Sequence, residues 1–543
     1  MDKLNDLLRR LERLNEIGSA LSNERNIDAL LEKILLAAKT ITHADGGTLY
    51  RTDESGQHLR FEILRTDSLG IAMGGTSGHP IAFPPLQLHC DDGSPNLSMV
   101  AAYSALQRQT VNIADAYRAE GFDFSGTRAF DTRTGYRSTS FLTVPMMNHE
   151  GTVIGVLQLI NALHPVTGEV GEFSDADRKL AESLASQAAI ALTNRQLVSQ
   201  LEALFESFIT LINDAIDEKS PYTGGHCQRV PTLTMMLAEA VNDTTEGPLA
   251  GFTMSDADRY ELKIAGLLHD CGKVTTPVHV VDKATKLQTI FDRIDLIDTR
   301  FELIRRDIEL ATLNSRMSAG PSASPIVLAQ IERHGADRLR EIDADRAFLH
   351  HANIGSERMS DADVGRVHDI ARRWRWVDSQ GVERSCLSDE EVENLTIRAG
   401  TLTAAEREVI NYHIVSTIRM LEALPWPRHL ANVPEYAGGH HERMDGKGYP
   451  RGLARDQMSV QARVMGIADI FEALTAKDRP YKRPMRLSEA LNILGRFRLN
   501  GHIDPDLFDV FVRQKVYLKY AETWLDPEQI DIVDPATIPG FQP

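Results

Sequence analysis

Cysteine is scarce in this chain. Four occur among 543 residues, Cys90, Cys227, Cys271 and Cys386, and no two of them form a CxxC pair. A disulfide-stapled scaffold and a zinc ribbon are therefore not expected, and a reducing, cytoplasmic setting is the simplest one. Glycine (37) and proline (23) are too sparse for a collagen-like chain. No apolar run reaches the ~18–20 residues of a membrane span. The opening stretch, MDKLNDLLRRLERLNEIGSAL, is charged throughout, which is not the pattern of a secretory signal. Positive charge is also in deficit: 59 Lys and Arg against 77 Asp and Glu give a net charge of −18. That balance disfavours long nucleic acid as a partner but leaves room for a small anion held locally. Hydrophobic residues at 42% are ample for packed cores, and the length suits two to four domains.

The chain reads as several segments. Residues 1–25 carry Leu4, Leu7, Leu11, Leu14 and Leu21 at the 3/4 spacing of an amphipathic helix, which either packs on its own domain or pairs in a coiled coil. Residues 26–175 alternate between helix and strand patterns. Asn26-Ile27-Asp28 caps a helix with Leu30, Leu31, Ile34 and Leu35 on one face. GGTLYRT, HLRFEIL, STSFLTVPM and VIGVLQLI read as strands, the last two joined by the turn Asn148-His149-Glu150-Gly151 into an antiparallel hairpin. Residues 176–214 read as one long helix with Leu197, Leu201, Leu204, Phe208 and Leu211 at 4, 3, 4, 3 spacing. This is either a dimer seam between domains or a face buried against neighbours. Residues 215–525 are mostly helical, with an insertion over about 288–400 that is itself mostly helical and ends in a short hairpin, RWRWVDSQGVERSCL. The remaining 526–543 form a peripheral tail.

Histidines concentrate in compact motifs in the C-terminal half. Gly225-His226 stands in YTGGHCQRV, His269-Asp270 in LLHDCGK, His413 in INYHIVST, His440-His441-Glu442 in GGHHERMDGKGYP, and Asp469 in MGIADIFEAL. Imidazole and carboxylate donors suit iron, manganese, nickel or zinc. Five histidines and two aspartates exceed one tetrahedral site. They suit two ions that share a carboxylate, the arrangement that supports phosphodiester hydrolysis. Lys273 can meet a phosphate as a point charge or protonate a leaving oxygen. The insertion supplies internal controls: His350-His351 and His368-Asp369 lack any such surroundings and read as surface or satisfied core residues.

HDCGK followed by HHERMDGKGYP resembles the HD-GYP family, a branch of the HD-superfamily metal phosphohydrolases whose members typically hydrolyse cyclic di-GMP and in some cases cyclic GMP-AMP. The namesake elements are His269-Asp270 and Gly448-Tyr449-Pro450. The likeness extends to YTGGH at 222–226 and RPYK at 479–482, covering about 215–290 and 400–520. It implies metal ligation by His226, His269, Asp270, His413, His440, His441 and Asp469, with Asp270 bridging two divalent ions, iron or manganese. It implies catalytic roles for Asp270 and Lys273. It also implies a substrate pocket shaped by Lys273, Asp445, Gly446, Gly448, Tyr449 and Pro450. Gly446 and Gly448 suit a tight turn with positive φ, and Pro450 stiffens its exit. Two positions depart from the pattern. Tyr222 stands where some relatives place a Glu that holds a third metal, so a dinuclear site is expected. Glu472 stands where relatives often have Asp.

The 26–195 segment resembles a GAF domain through VNIADAYRAEGFDF, FDTRTGYRSTSFLTVPM and VIGVLQLINA. Asn161, Phe173 and Asp177 match the family's nucleotide signature, whereas Ala162 and Arg178 do not. The resemblance implies either a small-ligand sensor or a ligand-free dimerisation domain. The expected whole is multidomain: an N-terminal α/β GAF-like domain, a long connecting helix and a C-terminal all-α HD-type bundle carrying the insertion. A cytoplasmic homodimer is expected, acting as a cyclic dinucleotide phosphodiesterase that yields pGpG or GMP. The alternatives are a hydrolase of cyclic GMP-AMP or another nucleotide, and a non-catalytic nucleotide receptor or docking module.

Overall fold

The structure is a computed structural model, and it describes residues 12, 16–18, 24, 26–219, 225–355, 358–477 and 484–542. The leucine series from Leu4 to Leu21, Tyr222 and the RPYK segment lie outside the described residues. The chain divides into two compact units, residues 1–205 and 206–543.

The first unit is a sheet covered by helices. Its strands are β1 (Ala44–Thr52), β2 (His58–Thr66), β3 (Ile71–Gly74), β4 (Leu86–Gln87), β5 (Val111–Ile113), β6 (Phe141–Met147), β7 (Val153–Leu163) and β8 (Val170–Gly171). The order is β3-β2-β1-β7-β6-β5, with β4 added on β2 and β8 on β7. Every pairing is antiparallel. The β6–β7 hairpin forms because the Asn148 side chain accepts from the backbone N–H groups of Glu150 and Thr152, folding the turn back on itself.

Helix α1 (Ile27–Thr42) starts where Asn26 Oδ1 accepts from Ala29 N at 3.0 Å. It buries Leu30, Leu31, Ile34 and Leu35 against the sheet. Helices α2 (Val100–Gln107) and α3 (Ser125–Thr134) cover other parts of the unit.

Helix α4 (Asp175–Lys219) carries the chain onward. Ser174 and Asp177 cap its start by exchanging hydrogen bonds. Its first turns bury Leu180, Ala181, Leu184, Ala188 and Leu192 in the same core. Beyond them the apolar stripe faces outward: Leu197, Leu201, Leu204, Phe208 and Leu211 are all exposed, Leu201 by 64%.

The second unit is helical. Helices α5 (His226–Asn242) and α6 (Asp256–Leu268) lead into a 3₁₀ turn, Cys271–Thr275. The segment expected to be an insertion forms α7 (Ile294–Ala319), α8 (Pro325–Asn353), α9 (Asp361–Arg373), the antiparallel hairpin β9 (Arg375–Val377) with β10 (Glu383–Ser385), and α10 (Asp389–Leu395). It has its own core, in which Ile297, Phe301 and Ile304 of α7 meet Ile342, Leu349, Val367, Ile370 and Trp374. The chain continues as α11 (Ala404–Glu422), α12 (Val433–Gly438), α13 (Val460–Thr475), α14 (Leu487–Leu499), α15 (Pro505–Arg513) and α16 (Val516–Trp524). Among the described residues no helix is long and apolar enough to cross a membrane.

Candidate metal centre

Six elements or turns bring the histidine motifs together. His226 opens α5, and His269 caps the C-terminus of α6. Asp270 and Lys273 belong to the turn that follows. His413 sits in the middle of α11, His440 and His441 follow α12, and Asp469 lies on α13. The five imidazoles form a continuous cluster. Ring centroids are 5.3 Å apart for His226 and His269, 5.0 Å for His269 and His440, 4.1 Å for His440 and His441, and 5.1 Å for His413 and His441.

The directions of these rings matter more than their proximity. His269 Nδ1 meets Gly266 O at 2.7 Å, His413 Nδ1 meets Ile410 O at 2.5 Å, and His440 Nδ1 meets Ala437 O at 2.6 Å. A carbonyl only accepts, so each Nδ1 carries the proton and each Nε2 presents a lone pair. The Nε2 atoms of the cluster converge. His269 Nε2 lies 3.4 Å from His226 Nε2, and His441 Nε2 lies 3.2 Å from His413 Nε2. His440 Nε2 is buried with no hydrogen-bond partner. A buried acceptor without a partner, as at His440 Nε2, is costly unless a cation meets it.

Asp270 stands between the two groups. Its Oδ2 is 3.1 Å from His226 Nε2 and 3.2 Å from His269 Nε2, and it also pairs with Lys273 Nζ. Its Oδ1 lies 3.2 Å from His413 Nε2 without making a hydrogen bond. Asp469 Oδ1 is 3.4 Å from His226 Nε2. Two donor groups thus emerge that could each hold an ion, His226 with His269 and Asp270, and His413 with His440 and His441.

The electrostatics fit cation binding. Burial, reinforced by neighbouring His269, pulls the His440 pKa down to about 4. Burial, with His440 and His413 beside it, holds His441 well below the ordinary histidine range. Both rings are therefore neutral Lewis bases near pH 7. Burial also opposes the charged form of His226, but the Glu472 carboxylate more than offsets this and raises it to about 9. The nitrogen, oxygen and charge inventory suits divalent transition ions.

The DGKGYP loop closes beside the cluster. Tyr449 stacks on His441, with centroids 4.9 Å apart and the planes 22° from parallel. Glu442 is buried and accepts from Arg451 N at 2.7 Å and Leu453 N at 2.8 Å, which folds the loop back. Asp445 forms a two-pronged ion pair with Arg443 and takes the backbone N–H of Lys447. Pro450 follows Tyr449 at the loop's exit.

Gly446 has the expected positive φ, +72°. Gly448 does not, which corrects the expectation for that residue. Glycine is required there because a Cβ would stand 2.4 Å from Arg443 N and 2.5 Å from Glu442 Cα.

The sequence left Glu472 without a role and did not single out Arg229. Glu472 is fully buried; its Oε2 is 2.6 Å from His226 Nδ1 and its Oε1 accepts from Arg229 Nε at 2.7 Å. Helical spacing held the clue: Glu472 lies one turn beyond Asp469, and Arg229 one turn beyond His226. Away from the cluster, His351, His368 and Asp369 are exposed, and His350 is an exposed partner of Asp298.

The first unit holds a cavity of about 440 Å³, walled by Tyr50, Phe61, Phe124, Phe130 and Phe141, with Gln158 among its polar lining. Asn161 does not line it. It accepts from Thr139 N at 2.7 Å and donates to Arg137 O at 2.8 Å, bracing the segment that supplies Tyr136 and Ser138 to the wall. Phe173 is a core residue and Asp177 a helix cap.

Comparison with known proteins defines the class. Residues 26–192 match the GAF domain, and residues 223–347 and 389–507 each match the HD domain. The chain therefore carries a GAF domain followed by an HD region. Relatives that share part of it are named phosphodiesterases. A 3′3′-cGAMP-specific phosphodiesterase 1 of Vibrio cholerae is 48% identical over 94 residues, 17% of this chain and 22% of that protein. A cyclic di-GMP phosphodiesterase of Pseudomonas aeruginosa is 39% identical over 116 residues, 21% and 27% of the two chains. A 3′3′-cGAMP-specific phosphodiesterase 3 of Vibrio cholerae is 34% identical over 173 residues, 32% and 30%. The aligned parts thus span less than a third of each of these relatives.

Proposed function

We propose that the chain is a metal-dependent cyclic dinucleotide phosphodiesterase of HD-GYP type, hydrolysing cyclic di-GMP to linear pGpG or GMP. The observation that carries this reading is Asp270, whose two oxygens face two separate groups of imidazole lone pairs. Two cations would find donors in His226, His269 and Asp469 on one side and in His413, His440 and His441 on the other, with Asp270 within reach of both groups.

Two divalent ions in such a site supply Lewis-acid neutralisation of the phosphodiester and a lowered pKa for water. The chain's own residues do the rest. Nδ1 anchoring holds the rings so that binding needs little reordering. The half-buried Lys273 ammonium, beside Asp270, meets a phosphoryl oxygen or gives its proton to the leaving ribose oxygen. In the overall step water adds to phosphorus and one P–O ester bond breaks. Tyr449, stacked on His441, and the loop folded by Glu442 bound the place where the dinucleotide lies. Gly446, Gly448, Pro450 and Asp445 set that loop's path.

Iron or manganese fits the mixed nitrogen and oxygen donors. The test is anaerobic loading with Fe²⁺ or Mn²⁺ and chromatography of cyclic di-GMP beside Asp270→Asn. Metal-dependent pGpG formation, lost in the variant, is expected. No turnover in confirmed two-metal protein overturns the reading. Cyclic GMP-AMP is the second substrate to run, because two of the relatives above are named for it.

Two further elements complete the proposal. The exposed stripe on α4 is the seam of a homodimer, because five large apolar side chains at heptad spacing stand in solvent. The aromatic-walled cavity of the first unit receives a small regulatory ligand.

A further inference from the structure

We infer that Glu472 is a positioning residue that governs one ion of the pair and not the other; this rests on the dinuclear reading above. The argument begins with the four imidazoles whose anchors are known. His269, His413 and His440 each donate Nδ1–H to a carbonyl three residues earlier, so their orientation belongs to their own helix or turn. Among the described residues His226 has no such carbonyl acceptor. Its Nδ1 is 2.6 Å from the Glu472 carboxylate, on a helix 246 residues further along. Glu472 Oε1 is occupied by Arg229 Nε, one turn along α5 from His226, so the carboxylate is fixed by both partners of the same helix. It is almost wholly removed from solvent, which strengthens both contacts.

A carboxylate on Nδ1 does two things for a metal-ligating histidine. It fixes the tautomer that leaves Nε2 free, and it makes that nitrogen a stronger donor. Here that nitrogen is the one aimed at Asp270 Oδ2 and Asp469 Oδ1. Among the described residues, the contacts of the Glu472 carboxylate run to His226 and Arg229, and the His413, His440 and His441 group stands apart from it. Its two Nδ1 anchors, on His413 and His440, are backbone carbonyls that no side-chain substitution removes. The effect of losing Glu472 should therefore fall on one half of the site. Removing such an outer carboxylate weakens metal binding by about tenfold to a hundredfold. The arm length matters as well: Asp, one methylene shorter, draws the carboxylate back out of hydrogen-bond reach of His226 Nδ1.

The test uses the full chain. Wild type, Glu472→Gln, Glu472→Asp and Arg229→Met are stripped of metal, checked for helix content by circular dichroism, and dialysed against graded Mn²⁺. Bound metal is counted, and electron paramagnetic resonance distinguishes coupled from isolated Mn²⁺. Wild type is expected to hold two coupled ions per chain. Glu472→Gln should bind one ion within about twofold of wild type and the other tenfold to a hundredfold more weakly, with an isolated-ion spectrum in between. Arg229→Met keeps the carboxylate on His226 and should retain both ions. If Glu472→Gln loses helix content, Glu472→Asp decides, with the same single ion weakened at least several-fold. Two ions bound as tightly as in wild type, or both weakened alike, overturn the inference. So does Arg229→Met losing the same ion, since helix packing would then be the cause. Wild type with fewer than two ions overturns the dinuclear reading itself.

Discussion

Gly272 offers the sharpest test of how the HDCGK turn is seated. A methyl at this position would stand 2.0 Å from the carbonyl oxygen of His413, 2.5 Å from Thr417 N and 2.7 Å from Thr417 Oγ1. Ordinary van der Waals contact begins near 3.4 Å. Gly272→Ala therefore requires the turn and α11 to part by about an ångström or more. The nearest two atoms are backbone, so no rotamer change relieves the contact. The separation also breaks the hydrogen bond from Gly272 N to Thr417 Oγ1, now 2.9 Å.

The displacement lies across the site, because Asp270 is two residues from the methyl and His413 is the residue it strikes. Overpacking of this kind costs about 1–3 kcal/mol of stability. Displacing a reacting group by about 1 Å costs on the order of a hundredfold in rate. The variant is expected to fold, to melt earlier, to lose metal and to fall about a hundredfold or more in cyclic dinucleotide turnover. Adding Thr417→Ala should not rescue it, since the His413 carbonyl remains in the way. Gly272→Ala with wild-type metal content and turnover would refute the geometry.

Asp270→Asn should abolish turnover while leaving the fold intact, and should lower metal binding at both donor groups, because one of its oxygens faces each; metal analysis and a melting curve read this out together. Lys286 is buried, and its ammonium donates to Leu395 O at 3.1 Å and to Met359 Sδ with no carboxylate bonded to it among the described residues, so burial brings its pKa down to about 8. The unfolded chain then binds more protons between about pH 8 and the ordinary lysine value of 10.5, and stability rises with pH across that window. Lys286→Met should abolish that rise and stabilise the protein near pH 7 by roughly 1–3 kcal/mol; a lower melting temperature would contradict it. Leu201→Glu with Leu211→Glu places charge in the exposed seam of α4 and should give monomers by light scattering, with metal content unchanged.

The strands that were legible are those with length and alternation. GGTLYRT, HLRFEIL, STSFLTVPM and VIGVLQLI became β1, β2, β6 and β7, the middle of the sheet. The missed strands are short: β3 has four residues, β5 three, and β4 and β8 two each. Segments of that size have no periodicity to read and exist only through pairing with longer neighbours. At the site, the histidines and aspartates were legible because their motifs keep their order along the chain. Glu472 was not, because its partner His226 lies 246 residues away. Gly448 illustrates a subtler limit: a glycine in a turn suggests unusual backbone angles, but here the reason is the crowding of Glu442 and Arg443, which only the folded chain reveals.

The anchoring of the imidazoles has a consequence for how far the centre can be moved as a unit. His269, His413 and His440 find their hydrogen-bond acceptors within three residues, so their rings gain direction as soon as the local helix or turn exists. His226 gains it only when residues 460–475 come to rest on residues 226–242. The aiming of the rings is therefore divided between three anchors within their own segments and one that another helix supplies. Anyone transplanting this site into another scaffold would have to carry α13 along with the histidine motifs, since a fragment ending before it would keep most of the ligands but leave His226 unaimed.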